Sequence, residues 1–463
     1  MIDRRSSFVD LPARRTALMA RKPAASMVTT TGAFMFLLLC GCGNQLPRTT
    51  GHAELSHCFV LPGAGSGATK SYRVKEGGQL AEAGEVSGGA MHMRAAFHPD
   101  GRTLYVSSVG PAGWQPEVGG GTWEEGIHVR AYAYDPADCS IGALLGTGRM
   151  GPEPPERERA YGLEVHPNGR WLYQTTNSLQ RIRLFDLPED RVPVPREAFD
   201  ATEGGEHACV EIRRLAMHPS TRFLYANCNN GELEDALQVW TIEGDGSITL
   251  GDHYTFPAIY GGVFDPVIHP SGEWLYQPTG TSSPDAPGGS GAYVLLYRVG
   301  EDGRLTLHNQ VPVRTVTAAD SVEDPTSVSM QPSAVVLHPD GSTAYMTLSV
   351  RLATPTPGPE DFAHELAIHR VADGGARLVE RARMPALRKT AFSSHHGATL
   401  AAYAGELFLY SFLTDYDTIQ GGVLQRLRVT QDHSLEPLDP PWVATGLFDG
   451  RQPIALPGSD GIR

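Results

Sequence analysis

The chain has 463 residues, 52 glycines, 35 prolines, a charged fraction of 19% and a formal net charge of −14. That length is ample for a large core, and the turn-rich composition suits an all-β protein. The acidic balance argues against nucleic acid or an anionic membrane surface as a partner.

Residues 1–42 read as a lipoprotein signal and not as part of the fold. Arg21 and Lys22 form a basic region, and residues 33–39 form a short apolar run that ends in Leu39-Cys40-Gly41-Cys42, a lipobox with Cys42 as the lipidated residue. The run is too short to span a bilayer. The long basic region suggests that translation starts at Met19. Gly43, in place of an aspartate after the lipidated cysteine, favours the outer membrane, facing the periplasm or the exterior. Residues 43–56 then form a polar tether, and the fold is expected over 57–463. The leader carries six basic and two acidic side chains, so the mature chain holds 32 basic against 50 acidic, net −18.

Within the folded region one phrase recurs: His98-PDGRTLYV, His166-PNGRWLYQ, His218-PSTRFLYA, His269-PSGEWLYQ, His338-PDGSTAYM and, more weakly, His396-GATLAAYA. Apolar residues lead in, a Pro-x-Gly turn follows in most copies, and a strand leaves through Leu-Tyr. Pro presets φ, Asp, Asn or Ser hydrogen-bond locally, and Gly supplies a positive φ, so each copy is a β-hairpin. A second hairpin follows most copies, as at 129–144, 237–250, 293–307, 366–379 and 424–436. Two hairpins make one four-stranded unit. The histidines are 68, 52, 51, 69 and 58 residues apart, and a propeller blade needs roughly 40–50 residues plus loops. Six phrases predict six blades. A seventh is split between the ends: Gln452-PIALPGSDG supplies the first strand, with Pro457 in the histidine's place, and 58–60, 69–74 and 79–86 supply the rest. The expected fold is therefore an all-β, seven-bladed propeller whose ring is closed by strands from both termini, which removes exposed sheet edges. The repeated histidines occupy one place in successive blades. They are spread around the ring and serve packing and hydrogen bonding at the hairpin turn.

Four cysteines follow Cys42, in an oxidising compartment. Cys209 and Cys228 flank the Pro219-Ser220 turn and would face each other across a hairpin as a disulfide. Cys58 and Cys139 are the second candidate pair, tying the first blade to its neighbour, with buried free thiols as the alternative. No pair has zinc-finger or CxxC spacing and no CxxCH haem motif occurs.

The six phrases, and strand ends such as Leu224-Tyr225-Ala226-Asn227, resemble the lactonase-like, YVTN-type seven-bladed propellers, a group that includes 6-phosphogluconolactonases and carboxymuconate cyclases. The resemblance runs from Cys58 to the C-terminus. It implies a channel in which arginines and a histidine handle a lactone, carried in relatives by a Gly-Pro-Arg-His phrase. This chain has Met91-His92-Met93-Arg94 and Ile212-Arg213-Arg214 there instead.

Two places remain for a site. The long loops 110–126, 281–291, 353–362, 151–160, 199–211 and 315–332 all fall on one face, where binding on a rigid scaffold usually resides. They are acidic (Glu124, Glu125, Glu153, Glu156, Glu203, Glu206, Glu323, Asp324, Glu360, Asp361) but lack a D-x-D-x-D-G calcium loop, so they read as a solvated rim and no metal is assigned. The channel is the other place. Four residues before the first five histidines stand Arg94, Gly162, Arg214, Asp265 and Ala334. His92, Arg94, Glu211 and Arg214 are candidate catalytic residues, with Arg213, Asp265, His395 and Arg451 as substrate-binding candidates. Arg94 and Arg214 would hold an oxyanion or a carboxylate, and His92 or Glu211 would act as base. The bland alternative is that the arginines form structural ion pairs with Asp265 and Glu211. Two functions follow. One is a lipid-anchored, monomeric scaffold that takes a protein, carbohydrate or small ligand on its looped face. The other is a cofactor-free hydrolase of a non-phosphorylated sugar or aromatic lactone.

Overall fold

The computed structural model describes residues 55–63, 66–87, 91–110, 126–149, 160–176, 180–201, 209, 211–229, 235–256, 264–281, 289–315, 329–351, 362–385, 394–414, 422–447 and 453–456. These form seven four-stranded antiparallel sheets. Blade 1 joins the two ends of the chain: β1 (Cys58–Gly63), β2 (Ala68–Val74) and β3 (Leu80–Ser87) follow β28 (Ile454–Ala455), which pairs with β1. Blade 2 is β4 (Met91–Phe97), β5 (Thr103–Gly110), β6 (Gly126–Asp135) and β7 (Ser140–Arg149). Blade 3 is β8 (Leu163–Val165), β9 (Trp171–Thr176), β10 (Arg181–Asp186) and β11 (Val194–Asp200). Blade 4 is β12 (Glu211–Met217), β13 (Phe223–Asn229), β14 (Ala236–Ile242) and β15 (Ile248–Thr255). Blade 5 is β16 (Val267–Ile268), β17 (Trp274–Thr281), β18 (Gly291–Val299) and β19 (Leu305–Thr315). Blade 6 is β20 (Ser329–Leu337), β21 (Thr343–Arg351), β22 (Phe362–Ala372) and β23 (Arg377–Pro385). Blade 7 is β24 (Ser394–Tyr403), β25 (Glu406–Thr414), β26 (Val423–Val429) and β27 (Leu435–Ala444). The innermost strands lie side by side in ring order, from β4 through β8 and β12 to β16, and from β20 through β24 to β28. Among the described residues no helix is long and apolar enough to cross a membrane.

The recurring phrase stitches each blade to the next. The histidine Nε2–H donates to a carbonyl in the neighbouring hairpin turn: His98 to Gly169 at 3.0 Å, His166 to Thr221 at 3.3 Å, His218 to Gly272 at 2.8 Å and His269 to Gly341 at 3.2 Å. The tyrosine hydroxyl donates to a carbonyl in the next blade's outer hairpin turn. The pairs are Tyr105 with Arg191, Tyr173 with Gly246, Tyr225 with Gly303, Tyr276 with Gly375, Tyr345 with His433 and Tyr410 with Gly78, at 2.8–3.3 Å. Each is worth about 1 kcal/mol net, because the hydroxyl exchanges water for a buried acceptor. The accepting residue always has a left-handed φ, between 63° and 113°.

The sixth phrase differs from its sequence reading. Residue 396 lies inside β24, and the hairpin turns after Tyr403, so Tyr403 takes the histidine's place and Tyr410 the tyrosine's. The weak His…Tyr match had landed one strand early. In blade 1 the residue whose backbone pairs as the histidines do is Leu456, whose N–H donates to Cys58 O, and not Pro457. Val60 then stands where the other blades carry tyrosine, and it has no hydroxyl to donate.

Both expected disulfides are present, with Cα–Cα separations of 5.5 Å for Cys58–Cys139 and 5.4 Å for Cys209–Cys228. Cys139 has the left-handed φ of the tyrosine acceptors, 66°. The Cys58–Cys139 bond therefore joins blade 1 to blade 2 where the other junctions use a tyrosine. Cys42, Arg451, the leader and most of the long acidic loops lie outside the described residues.

Candidate functional site

The innermost strands of blades 1–5 enclose a cavity of about 720 Å³, lined by Arg94, Tyr161, Gly162, Glu164, Arg214 and Asp265 together with the apolar side chains of these strands. Four of the five positions read from the histidine spacing thus reach it. The fifth, Ala334, is buried and does not line it.

The charged groups converge on one carboxylate. Arg94 Nη2 donates to both oxygens of Asp265 at 3.0 Å, and Arg214 Nε lies 2.7 Å from Asp265 Oδ1. Both guanidiniums also meet the Tyr161 carbonyl, Arg94 Nε at 2.7 Å and Arg214 Nη1 at 3.2 Å. The Tyr161 ring stacks under Arg213 and Arg214, 5.5 Å from each guanidinium carbon. Gly162 makes this convergence possible. A Cβ there would lie 2.9 Å from Thr175 Oγ1 and 3.0 Å from the Arg213 carbonyl, so β8 approaches β12 only without one.

Glu164 completes the site and was not among the candidates. It stands opposite Tyr173 on β9, a position filled by Ala96, Ala216, Val267 and Val336 in other blades. Burial pushes its carboxyl up to about 8; the nearby Asp265 charge adds to this and Arg94 partly offsets it. The side chain is half-buried and faces the cavity. The signal in the sequence was a lone glutamate inside the apolar run Leu163–Val165, two residues from Gly162 and so on the same face of the strand.

The other candidates sit elsewhere. His92 is buried and shares a 2.9 Å hydrogen bond with Thr69 Oγ1 of blade 1, outside the cavity. Two residues along a strand normally share a face, but β4 carries a bulge between His92 and Arg94. They pair with the adjacent residues Ser108 and Ser107, so Arg94 reaches the channel and His92 does not. Burial, helped by Arg130, lowers the His92 imidazole to about 3, so it stays neutral and cannot titrate as a base near neutrality. Glu211 pairs with Arg213, whose Nε donates to Glu211 Oε2 at 2.9 Å; neither lines the cavity. Residue 395 lies in β24, but its side chain is outside the described set, as is Arg451.

No protein-family model matches this chain. Two 6-phosphogluconolactonases are similar in sequence, from Pectobacterium carotovorum subsp. carotovorum at 27% identity and from Pectobacterium atrosepticum at 26%, each over 257 residues. The match covers 53% of this chain and 64% of each relative. A putative 6-phosphogluconolactonase from Bacteroides fragilis is similar in structure, with a TM-score of 0.58 at 16% identity, over 88% of this chain and 99% of that one. The chain resembles the lactonase-like seven-bladed propellers. A periplasmic gluconolactonase from Pseudomonas aeruginosa shares the lactonase-like fold at a TM-score of 0.57 and 13% identity, over 87% of this chain and 99% of that one.

Proposed function

We propose that this lactonase-like propeller binds and hydrolyses a non-phosphorylated lactone in its central cavity. The observation that carries the reading is the convergence of Arg94, Arg214 and the high-pKa carboxyl of Glu164 on one cavity. A carboxylate with a pKa near the working pH is a stronger base than an ordinary one. In its ionised form Glu164 takes a proton from water as the oxygen attacks the lactone carbonyl. The arginines, held at fixed positions by Asp265, receive the developing oxyanion without reorganising. The ring C–O bond then breaks, the leaving alkoxide takes the proton back from Glu164, and a hydroxy acid is released. Two guanidiniums against Asp265 leave about one net positive charge while Glu164 is neutral and about none once it is ionised, which suits a neutral lactone or a monoanion better than a phosphate dianion.

A proton-release assay over sugar, acyl-homoserine and muconate-type lactones tests this. Turnover should fall about 10²–10³-fold in Arg214→Ala and in Glu164→Gln. No turnover on any lactone would sink the hydrolase. It would leave the other reading, a scaffold that presents the long loops, whose support is the order of the strands in the sequence, from which those loops are expected on one face. We also place the mature chain at the cell envelope through lipidated Cys42; the lipobox and the two disulfides support this. Cys42→Ala should move the protein from the membrane fraction to the soluble one.

A further inference from the structure

Blade 7 departs from the repeat at one turn. The left-handed residue that accepts a tyrosine hydroxyl is glycine at Gly78, Gly246, Gly303 and Gly375 and arginine at Arg191 of blade 3, and here it is His433, with a φ of 64°. A side chain at such a φ costs roughly 1 kcal/mol. The facing residue of the preceding blade changes with it. Trp171, Phe223, Trp274 and Phe408 cover their glycines, with ring atoms 2.4–2.5 Å from where a Cβ would stand. Thr343 takes that place opposite His433, and its Oγ1 lies 2.8 Å from His433 Nδ1. Ser342 Oγ is 3.2 Å from the same nitrogen. The imidazole is thus held by Nδ1, and Nε2 points to Asp340, 3.7 Å from Oδ2. His338, the histidine of the fifth phrase, stacks on His433 with ring centroids 3.9 Å apart, and its Nδ1 is 2.7 Å from Asp340 Oδ1.

We propose that His338, Asp340 and His433 form a three-ligand site for a borderline divalent metal ion such as Zn²⁺, bridging blades 6 and 7. Two imidazole nitrogens and one carboxylate oxygen suit zinc, nickel or copper over magnesium or calcium. The three donor atoms lie within 4.8 Å of one another. A tetrahedral zinc ion at about 2.0–2.1 Å sets its ligands roughly 3.4 Å apart, so the donors close on the ion by side-chain rotations that also turn the two stacked imidazoles out of their parallel planes. The Thr343 hydroxyl fixes the ring of His433, as outer-shell partners of zinc-bound histidines commonly do. The three side chains are 15%, 27% and 22% exposed, in chain order, and His338 borders an open groove of about 670 Å³, so an ion can reach them from solvent. Arg381, whose charge acts on His433, is turned onto Asp432, donating to its carbonyl at 2.7 Å. Three protein ligands leave a fourth position for water.

Titration of the tag-free full chain with Zn²⁺ by calorimetry, and with Co²⁺ by visible absorption, tests the site. One equivalent should bind with a micromolar dissociation constant and give the spectrum of a tetrahedral site. At a hundredfold excess over that constant, Tm should rise by about 3 °C. His433→Gly removes a ligand while relieving the left-handed backbone, so it should fold at least as well; it and Asp340→Asn should each weaken binding by at least tenfold and abolish the Tm shift. Unchanged binding in both variants, or no saturable binding in the wild type below millimolar Zn²⁺, would overturn the proposal.

Discussion

Glu164 links stability and activity through one proton. Its folded pKa is raised to about 8 from the usual carboxylate value of 4.5, so the folded state holds the proton more tightly than the unfolded one. The stability tied to the neutral form is complete below pH 4.5 and is lost as pH rises from there towards 8. Each pH unit in that window removes about 1.4 kcal/mol at most. Glu164→Gln should therefore be more stable than wild type by about 1–3 kcal/mol at pH 7.5 and equal to it at pH 4.5, as measured by denaturant unfolding at the two pH values. On the proposed reaction the same proton works the other way: the wild-type rate climbs until about pH 8, and the variant loses that climb. Arg94, Arg214 and Asp265 were legible because the histidine phrase sets a ruler and the same offset reaches the channel in each blade. Glu164 was passed over because that ruler samples one position per strand. His92 was read into the channel because a bulge leaves no mark in the spacing of residue types.

At the scale of the element, the turns decide how the blades join. Gly246 and Gly244 belong to the same hairpin turn but have different tasks. A Cβ on Gly246 would sit 2.4 Å from the Trp171 ring at a φ of 89°, while one on Gly244 meets nothing within 4 Å. Gly246→Ala should cost about 2–4 kcal/mol, from strain and displacement of a rigid indole. Gly244→Ala should change stability by less than about 0.5 kcal/mol. Equal Tm values for the two variants would show that the junction between blades 3 and 4 does not depend on this contact. The hairpins themselves were readable from Pro-x-Gly and Leu-Tyr, since turn chemistry is local. The sixth was misplaced by one strand because Tyr403 had replaced the histidine and His396 supplied a decoy at the same spacing. The hydrogen bonds that use the histidines and tyrosines run between blades, and no single hairpin reveals them.

For the whole molecule, ring closure is the event that matters, and the Cys58–Cys139 bond guards it. It links residues 81 apart in sequence, at the junction where Val60 offers no hydroxyl. Cys58→Ser with Cys139→Ser should lower stability by about 2–5 kcal/mol, and reductant should lower the wild-type Tm by more than that of the double variant, which keeps only Cys209–Cys228 to lose. The seven-bladed ring and its split blade were legible because six copies of one phrase left strands for one more blade, three at the N-terminal end and one at the C-terminal end. Which functional groups share the cavity was not, because the four blades that supply its charged groups are brought together only by closure.

That closure also has a timetable. The strand that completes blade 1 is β28, at residues 454–455, and its partner β1 begins at residue 58. A ribosome making this chain releases β1 almost four hundred residues before its neighbour exists. During that interval β1 is an unpaired edge, the form of β-structure most prone to pair with another chain. Where the chain enters the oxidising compartment N-terminus first, Cys139 follows early enough to bond Cys58 before the last blades arrive there. The disulfide can therefore act as a temporary moorage, holding the first strand against blade 2 until the final residues arrive.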